Sequence, residues 1–264
     1  MPPVQSAPAA DGVPPVSDGG KVVVTGSLGG IGGALCRALT DAGYAVCGVD
    51  RHQADAPPGQ AHYVRLDLAD PEALDEAAGG ALAALVDWVG EAGARAVVHN
   101  AAWQVVKPLA DLTWADAERS FRVNVMAPLF LSQRLLPALV RGRGCVVHVG
   151  SVHGALTKPQ FSCYAASKAA LASLTRSMAL ELGEAVPVFG IEPGAVDTAM
   201  LRDGFRAAAQ GLDTLAAHQP LQRLADPAEV AALVTWLVQA RPVLLSGSHL
   251  SAGGGIAGRL HDPR

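Results

Sequence analysis

The most pointed chemistry in this chain is carried by Tyr164 and Lys168, in the stretch Tyr-Ala-Ala-Ser-Lys. On a helix, positions i and i+4 share a face, so the phenol and the ammonium are neighbours. A tyrosine with a pKa of about 10 is a poor base near neutrality, and a nearby cation favours its phenolate, each pKa unit being worth about 1.36 kcal/mol. An exposed Tyr–Lys pair has the same spelling, so the spacing alone leaves both readings open. Ser151 narrows them. It follows the apolar run 145–149, and in doubly wound sheets the ligand-facing groups emerge at the C-terminal ends of strands. A serine and a tyrosine hydroxyl can then both hydrogen-bond one substrate oxygen.

A second constellation lies near the start, where residues 25–32 read Thr-Gly-Ser-Leu-Gly-Gly-Ile-Gly. Gly26, Gly30 and Gly32 have the spacing G-x-x-x-G-x-G, wider than G-x-G-x-x-G. Such a turn either packs a helix closely on a strand or lets backbone N–H groups approach a pyrophosphate at the helix N-terminus. An apolar strand before it and a helix after it favour the second. Asp50 ends the next strand, where a carboxylate suits ribose hydroxyls and repels a 2′-phosphate, which points to NAD; the adjacent Arg51 leaves NADP open. Asp67 either accepts from the adenine amine or caps a turn.

The elements that must position these residues follow from periodicity. Short β-branched runs at 22–25, 45–49, 63–66, 96–99, 145–149 and 186–191 alternate with helical stretches near 30–41, 71–91, 114–139, 163–182 and 227–239. Strands apolar on both faces that alternate with helices predict a Rossmann-like doubly wound α/β fold, a parallel sheet with helices on both faces. One domain, 21–264, is expected behind a disordered Pro/Gly/Ala-rich arm, 1–20. Residues 199–219 lack a strand pattern and are expected to form a small helical lid, with Arg202, Asp203 and Arg206 on the wet face beside the alanines 207–209.

Composition sets outer limits. Against 20 Lys+Arg stand 24 Asp+Glu, a net charge of −4 over 264 residues, so no basic footprint for nucleic acid is expected. No apolar run nears the roughly 18–20 residues of a membrane span, and no signal peptide opens the chain. Cys36, Cys47, Cys145 and Cys163 form no C-x-x-C pair, so neither a disulfide framework nor a metal site is expected, which fits a reducing cytoplasm. Cys163, next to Tyr164, reads as a small buried thiol. Val123, Val125, Met126, Leu129 and Phe130 leave surplus apolar surface on 114–139 and 163–182, the expected contacts of a homodimer or homotetramer.

Taken together, residues 21–256 resemble the short-chain dehydrogenase/reductase family in its compact, single-domain form. The resemblance rests on T-G-x-x-x-G-I-G at Thr25–Gly32, Asn100-Ala101-Ala102, Asn124, Ser151, Tyr164, Lys168, Pro193-Gly194 and Thr198, in order and spacing. Ala102 stands where the family usually has glycine. The resemblance implies an enzyme that interconverts a secondary alcohol and a ketone. Tyr164 would be the general acid/base, Ser151 would polarise the substrate oxygen, Lys168 would lower the tyrosine pKa, and Asn124 would hold a water of a proton relay. On its own, Asn124 reads as a polar helix residue capping a kink above Pro128. The dinucleotide would be met by Gly26, Ser27, Gly30, Ile31, Gly32, Asp50, Arg51, Asp67, Leu68, Asn100, Ala101, Tyr164, Lys168, Pro193, Gly194, Val196 and Thr198.

For the substrate, the resemblance points to Gln104, Ser151, His153, Phe161, Tyr164 and Arg202. Gln104 and His153 are similar to a glutamine and a histidine of 3-hydroxybutyrate dehydrogenases that help bind the substrate carboxylate. Those enzymes have a lysine where this chain has Phe161 and a glutamine near Arg202, so 3-hydroxybutyrate itself is not expected. Gln104, His153 and Arg202 can still grip a carboxylate, sulfonate or phosphonate on a small metabolite such as a hydroxy acid. Trp103, Phe161 and Phe205 would form apolar wall, and Lys158 and Gln160 belong to the same loop. A neutral sugar, cyclic diol or hydroxysteroid is the alternative, since a similar Ser-Val-His occurs in sugar dehydrogenases. A redox-inactive, dinucleotide-binding regulator would be expected to lack Tyr164 or Lys168, and a nucleotide-sugar epimerase or dehydratase to carry a C-terminal substrate domain.

Overall fold

Among the described residues the six β-branched runs and one further segment form seven parallel strands: β1 (Lys21–Thr25), β2 (Ala45–Asp50), β3 (His62–Arg65), β4 (Ala94–His99), β5 (Cys145–Val149), β6 (Val188–Pro193) and β7 (His249–Ala252). The computed structural model describes residues 19–55, 57–74, 80–205 and 211–259. Most of the predicted arm, 1–18, and the lid residues 206–210 lie outside the described residues. The strand order is β3-β2-β1-β4-β5-β6-β7, so the connection reverses direction between β1 and β4. In open parallel sheets a crevice opens at that switch point, beyond the carboxyl ends of the strands.

Helices cover both faces. On one side lie α1 (Gly30–Asp41) and α8 (Pro227–Ala240), whose Leu35, Leu39, Val234 and Leu237 are buried against Val22, Val24 and Val147. On the other lie α2 (Ala81–Val89), α3 (Trp114–Phe121), α4 (Ala127–Arg141) and α5 (Ser162–Leu182). There Leu85, Leu131, Leu135 and Leu139 pack against Val23, Val97 and Val146. Two short helices, α6 (Ala199–Phe205) and α7 (Leu212–His218), occupy the segment read as a helical lid.

The structure departs from the sequence reading in two elements. The helix expected over 71–91 is a single 3-10 turn at Glu72–Leu74 followed by α2, with 75–79 outside the described residues. The helix expected over 114–139 is broken by a π turn at Arg122–Met126, joining α3 to α4. Hydropathy cannot reveal that extra residue, because the apolar face is preserved on both sides of it. The same stretch, Trp114–Arg141, also contains a segment long and apolar enough to cross a membrane by length and composition, contrary to the first expectation. Half of it is buried inside the protein, with Leu131, Leu135 and Leu139 facing the sheet, as befits a core helix.

Candidate active site

At the end of β1 the chain turns at Gly26, whose φ of +66° suits glycine. A Cβ there would lie 2.8 Å from Ala101 Cα, and one at Gly32 would strike the Gly26 carbonyl. Asn100 at the end of β4 staples this turn: its Nδ2 donates to Thr25 O at 3.0 Å and to Gly26 O at 3.1 Å. Thr25 Oγ1 in turn accepts from the N–H groups of Asn100 and Ala101, both at 3.1 Å. Helix α1 then starts with no side-chain cap and no acid in its first turn. Its leading N–H groups therefore lack intrahelical acceptors and face the crevice with the positive end of the helix dipole. Open donors and no competing carboxylate fit a dinucleotide pyrophosphate. Ser27 is fully buried under the turn, its hydroxyl without a partner, rather than in the crevice wall.

Asp50 lies at the C-terminal end of β2, where its carboxylate accepts from Leu28 N–H at 3.2 Å and His52 N–H at 3.3 Å. Asp67 closes a turn by accepting from Ala69 N–H at 3.0 Å and lines the same crevice, so the turn-capping reading holds for its side chain. Trp103 stands between two cations, Arg51 at 5.0 Å and Arg119 at 3.9 Å from the indole centroid. Arg119 also lines the crevice, with a buried Nε that has no partner. Nothing in the sequence distinguishes it from the other charges of α3.

At the far end, α5 presents Tyr164 and Lys168, 8 % and 2 % exposed. Lys168 Nζ donates to Val149 O at 2.9 Å, which ties the helix to the end of β5, and sits 5.8 Å from the Tyr164 ring centroid. Burial lowers the Lys168 pKa to about 8. Burial raises that of Tyr164, and a hydrogen bond with Ser151 works against the rise. Ser151 also accepts from His153 N–H at 3.2 Å, which anchors the short 3-10 turn Val152–Gly154.

Asn124 sits in the π turn, fully buried, and does not line the crevice. Its Oδ1 accepts from Trp103 N–H at 2.8 Å, and its Nδ2 donates to Trp103 O at 3.0 Å and to Ser167 Oγ at 2.8 Å. Ser167 Oγ donates to Tyr164 O at 2.7 Å. The amide thus bolts the loop after β4 to the turn of α5 that carries Tyr164. Both Nδ2 hydrogens are engaged, so this side chain could meet the relay water that the resemblance implies only through the second lone pair of Oδ1.

The substrate end is walled by His153, Phe161, Phe205, Met200, Gln104 and Lys158. His153 stacks on Phe161 with ring centroids 4.6 Å apart and meets Tyr164 edge-on at 6.0 Å. Burial lowers the His153 pKa, helped by the Lys158 charge and opposed by a backbone hydrogen bond at Leu156. Arg202 departs from expectation. It lies outside the crevice lining, and its Nε and Nη2 donate to the two oxygens of Asp197, each at 2.8 Å. A carboxylate five residues upstream already fills its bidentate fork. At the substrate end the crevice is instead lined by Lys158, which the sequence assigned only to the loop; its sole sequence signal is Phe161 three residues on. Cys163 is only partly buried, less than expected.

All these surfaces meet in one cavity of about 1130 Å³. Gly26, Gly30, Ile31, Gly32, Asp50, Arg51, Asp67, Leu68, Asn100, Ala101, Ser151, Tyr164, Lys168, Pro193, Gly194, Val196 and Thr198 line it, and Ser27, Asn124 and Arg202 do not. Among the described residues no group of three His, Cys, Asp or Glu side chains is arranged to hold a metal.

A family model for short chain dehydrogenases matches residues 20–208. The chain is 32% identical to L-xylulose reductase of Bos taurus, over 90% of this chain and 96% of that protein. It is 33% identical to galactitol 2-dehydrogenase of Cereibacter sphaeroides, over 90% and 95%. The ligand-free aldohexose dehydrogenase of Thermoplasma acidophilum superposes with a TM-score of 0.82 at 23% identity, covering 94% of this chain and 98% of that one. The chain therefore belongs to the short-chain dehydrogenase family.

Proposed function

We propose that this protein, an NAD(P)-dependent short-chain alcohol dehydrogenase or ketoreductase, interconverts a secondary alcohol and a ketone on a small metabolite, with Tyr164 as the acid/base. The observation that carries this reading is the single cavity joining the uncapped α1 N-terminus to Ser151, Tyr164 and Lys168. When bound, the nicotinamide would accept or supply the hydride. In the oxidising direction Tyr164 takes the alcohol's hydroxyl proton, and in the reducing direction it returns one to the carbonyl oxygen. Ser151 donates to that oxygen and shares the phenol's hydrogen bonding. Lys168, held by Val149 O, keeps a cation beside a buried phenol whose ionisation burial alone would oppose.

Asn124 is a positioning residue in this scheme. Its amide is committed to Trp103 and Ser167 and lies outside the cavity lining. Asp50 supports NAD, because its carboxylate lines the cavity and opposes a 2′-phosphate. NADP is the second reading, favoured by Arg51 and Arg119 flanking Trp103 on the same wall. Helices α6 and α7 act as the lid, Met200, Phe205 and Leu215 facing the cavity from it. Met126, Leu129 and Phe130, each more than a third exposed, supply the surface of a homodimer or homotetramer.

Steady-state assays of the purified protein with NAD⁺ and NADP⁺ against secondary alcohols, sugars, diols, hydroxy acids and hydroxysteroids test the proposal. Turnover that Tyr164→Phe lowers by about 10²–10⁴-fold in kcat supports it. Full activity in that variant refutes the assignment, and faster turnover with NADP⁺ refutes the Asp50 argument.

A further inference from the structure

The substrate end of the cavity holds a cation in an unusual setting. Lys158 Nζ lies 4.6 Å from the Phe161 ring centroid and 5.2 Å from that of Phe205, so a loop aromatic and a lid aromatic flank it. Among the described residues no carboxylate pairs with it. Arg202 on the lid is saturated by Asp197, and Asp203, which lines the same cavity, is itself engaged. Lys158 is exposed as a residue, at the rim of the cavity, and the partial burial of its ammonium against the two rings lowers its pKa. Close by, His153 Nδ1 is buried without a hydrogen-bond partner, and the charge of Lys158 is felt on that imidazole.

We propose that Lys158 is the anion-binding residue of the substrate site, with His153 as its polar companion. The substrate is then a secondary alcohol or ketone bearing a carboxylate, sulfonate or phosphonate. The inference rests on the reading of Tyr164 as the acid/base, and the geometry connects the two. Phe161 stands between them, 6.1 Å from the Tyr164 ring and 4.6 Å from the ammonium. A short chain lying along Phe161 would present its carbonyl to Tyr164 and Ser151 at one end and its anion to Lys158 at the other. Aromatic faces stabilise a cation only weakly in place of water. An ammonium that faces the cavity without a carboxylate partner therefore gains most from an oxyanion, since charge-assisted hydrogen bonds are about twice as strong as neutral ones. The competing use of Lys158 is a cation–π brace between the loop and the lid, which would be indifferent to substrate charge.

A matched ligand set separates these uses. Reduction of levulinate, acetonylphosphonate and the uncharged primary amide of levulinate is measured with NADH or NADPH for the parent, Lys158→Met and Lys158→Arg. Binding of levulinate to each protein saturated with reduced dinucleotide is measured by calorimetry. The expected result is a kcat/KM for the anions at least about 10-fold above the amide in the parent. That preference collapses in Lys158→Met through KM, is retained in Lys158→Arg, and is mirrored by levulinate binding. Equal use of amide and acid by the parent, or a preference that survives Lys158→Met, overturns the proposal. If no ketone, charged or neutral, is turned over, the Tyr164 reading fails by itself, and the binding arm still decides. Levulinate binding that Lys158→Met abolishes sustains the anion site, and binding that is absent or unchanged overturns it.

Discussion

Beneath α5 three histidines stand in one row across the sheet, and the two buried ones, His99 and His148, make the stability of the site acid-sensitive. The register pairs His99 with His148, His148 with Gly190, and Gly190 with His249. Gly190 leaves the gap that the His249 ring fills, since a Cβ there would collide with it. His99 Nε2 meets Ser132 Oγ at 2.8 Å, and His148 Nδ1 meets Thr175 Oγ1 at 2.8 Å. Thr175 donates its one hydroxyl proton to Leu171 O at 2.9 Å, so His148 must be the donor in that pair, the Nδ1–H tautomer. Its Nε2 lone pair is left buried and unpartnered. Burial lowers the His99 pKa to about 3, and burial, then the charge of His99, drives that of His148 well below its ordinary value.

The unfolded chain binds protons near pH 6.5 on both rings, and the folded chain does not. Folded stability is therefore full above that pH and falls as pH drops, for His99 until about 3. Between about pH 8 and pH 5.5 each ring costs about 1.4 kcal/mol, so the pair costs about 3 kcal/mol. That is a large share of the roughly 5–15 kcal/mol that holds a domain together. Urea unfolding at fixed protein concentration should show the parent losing about 3 kcal/mol more over that range than a His99→Asn, His148→Asn double variant. Calorimetric proton uptake on unfolding the parent near pH 5.5 should include about two extra protons, a readout that survives if the variant folds poorly. Equal losses in parent and variant, or no excess uptake, would refute the buried-neutral assignment.

Three further outcomes follow from the site. Gly32→Ala drives a methyl into the Gly26 carbonyl and to within 2.9 Å of Asn100 Nδ2, so dinucleotide binding followed by NADH fluorescence should weaken at least about 10-fold. Asn124→Ala frees both backbone groups of Trp103 and the Ser167 hydroxyl; it should lower stability by about 1–3 kcal/mol in thermal melts and lower kcat more than KM changes. Arg202→Ala should leave KM for an anionic substrate within about twofold, because Asp197 already occupies the guanidinium; a larger rise restores Arg202 to the site.

Much of this site is legible in one dimension because its parts are local. Tyr164 and Lys168 share a face of a single helix, and residues 25–32 form one uninterrupted strand–turn–helix, so spacing alone implies their neighbourhood. The doubly wound sheet is legible for a related reason: strands buried on both faces must be largely apolar, as the runs 22–24, 96–98 and 145–147 are. The π turn is not legible, because one extra residue in a helix leaves the apolar stripe intact while rotating Asn124 toward Trp103.

The two lid-side cations show where local reading fails and why. Arg202 and Lys158 are equally charged and equally close in sequence to predicted pocket segments, and hydropathy treats them alike. What separates them is partnership in space. Asp197 lies where the first turn of α6 swings the Arg202 guanidinium onto it, which neutralises the fork before any substrate arrives. Lys158 lies in a loop held to the strand-four side by the bond from Lys107 N–H to Gln160 O at 3.0 Å, and its flank is completed by Phe205 from the distant lid. A charge becomes a recognition element only when the fold turns it toward a cavity and withholds its counter-ion, and both conditions depend on residues far away in the chain. The same reasoning governs Lys168, whose pKa of about 8 reflects burial with only the Val149 carbonyl for company. The cavity thus carries two under-compensated ammonium groups, one beside the phenol and one across Phe161.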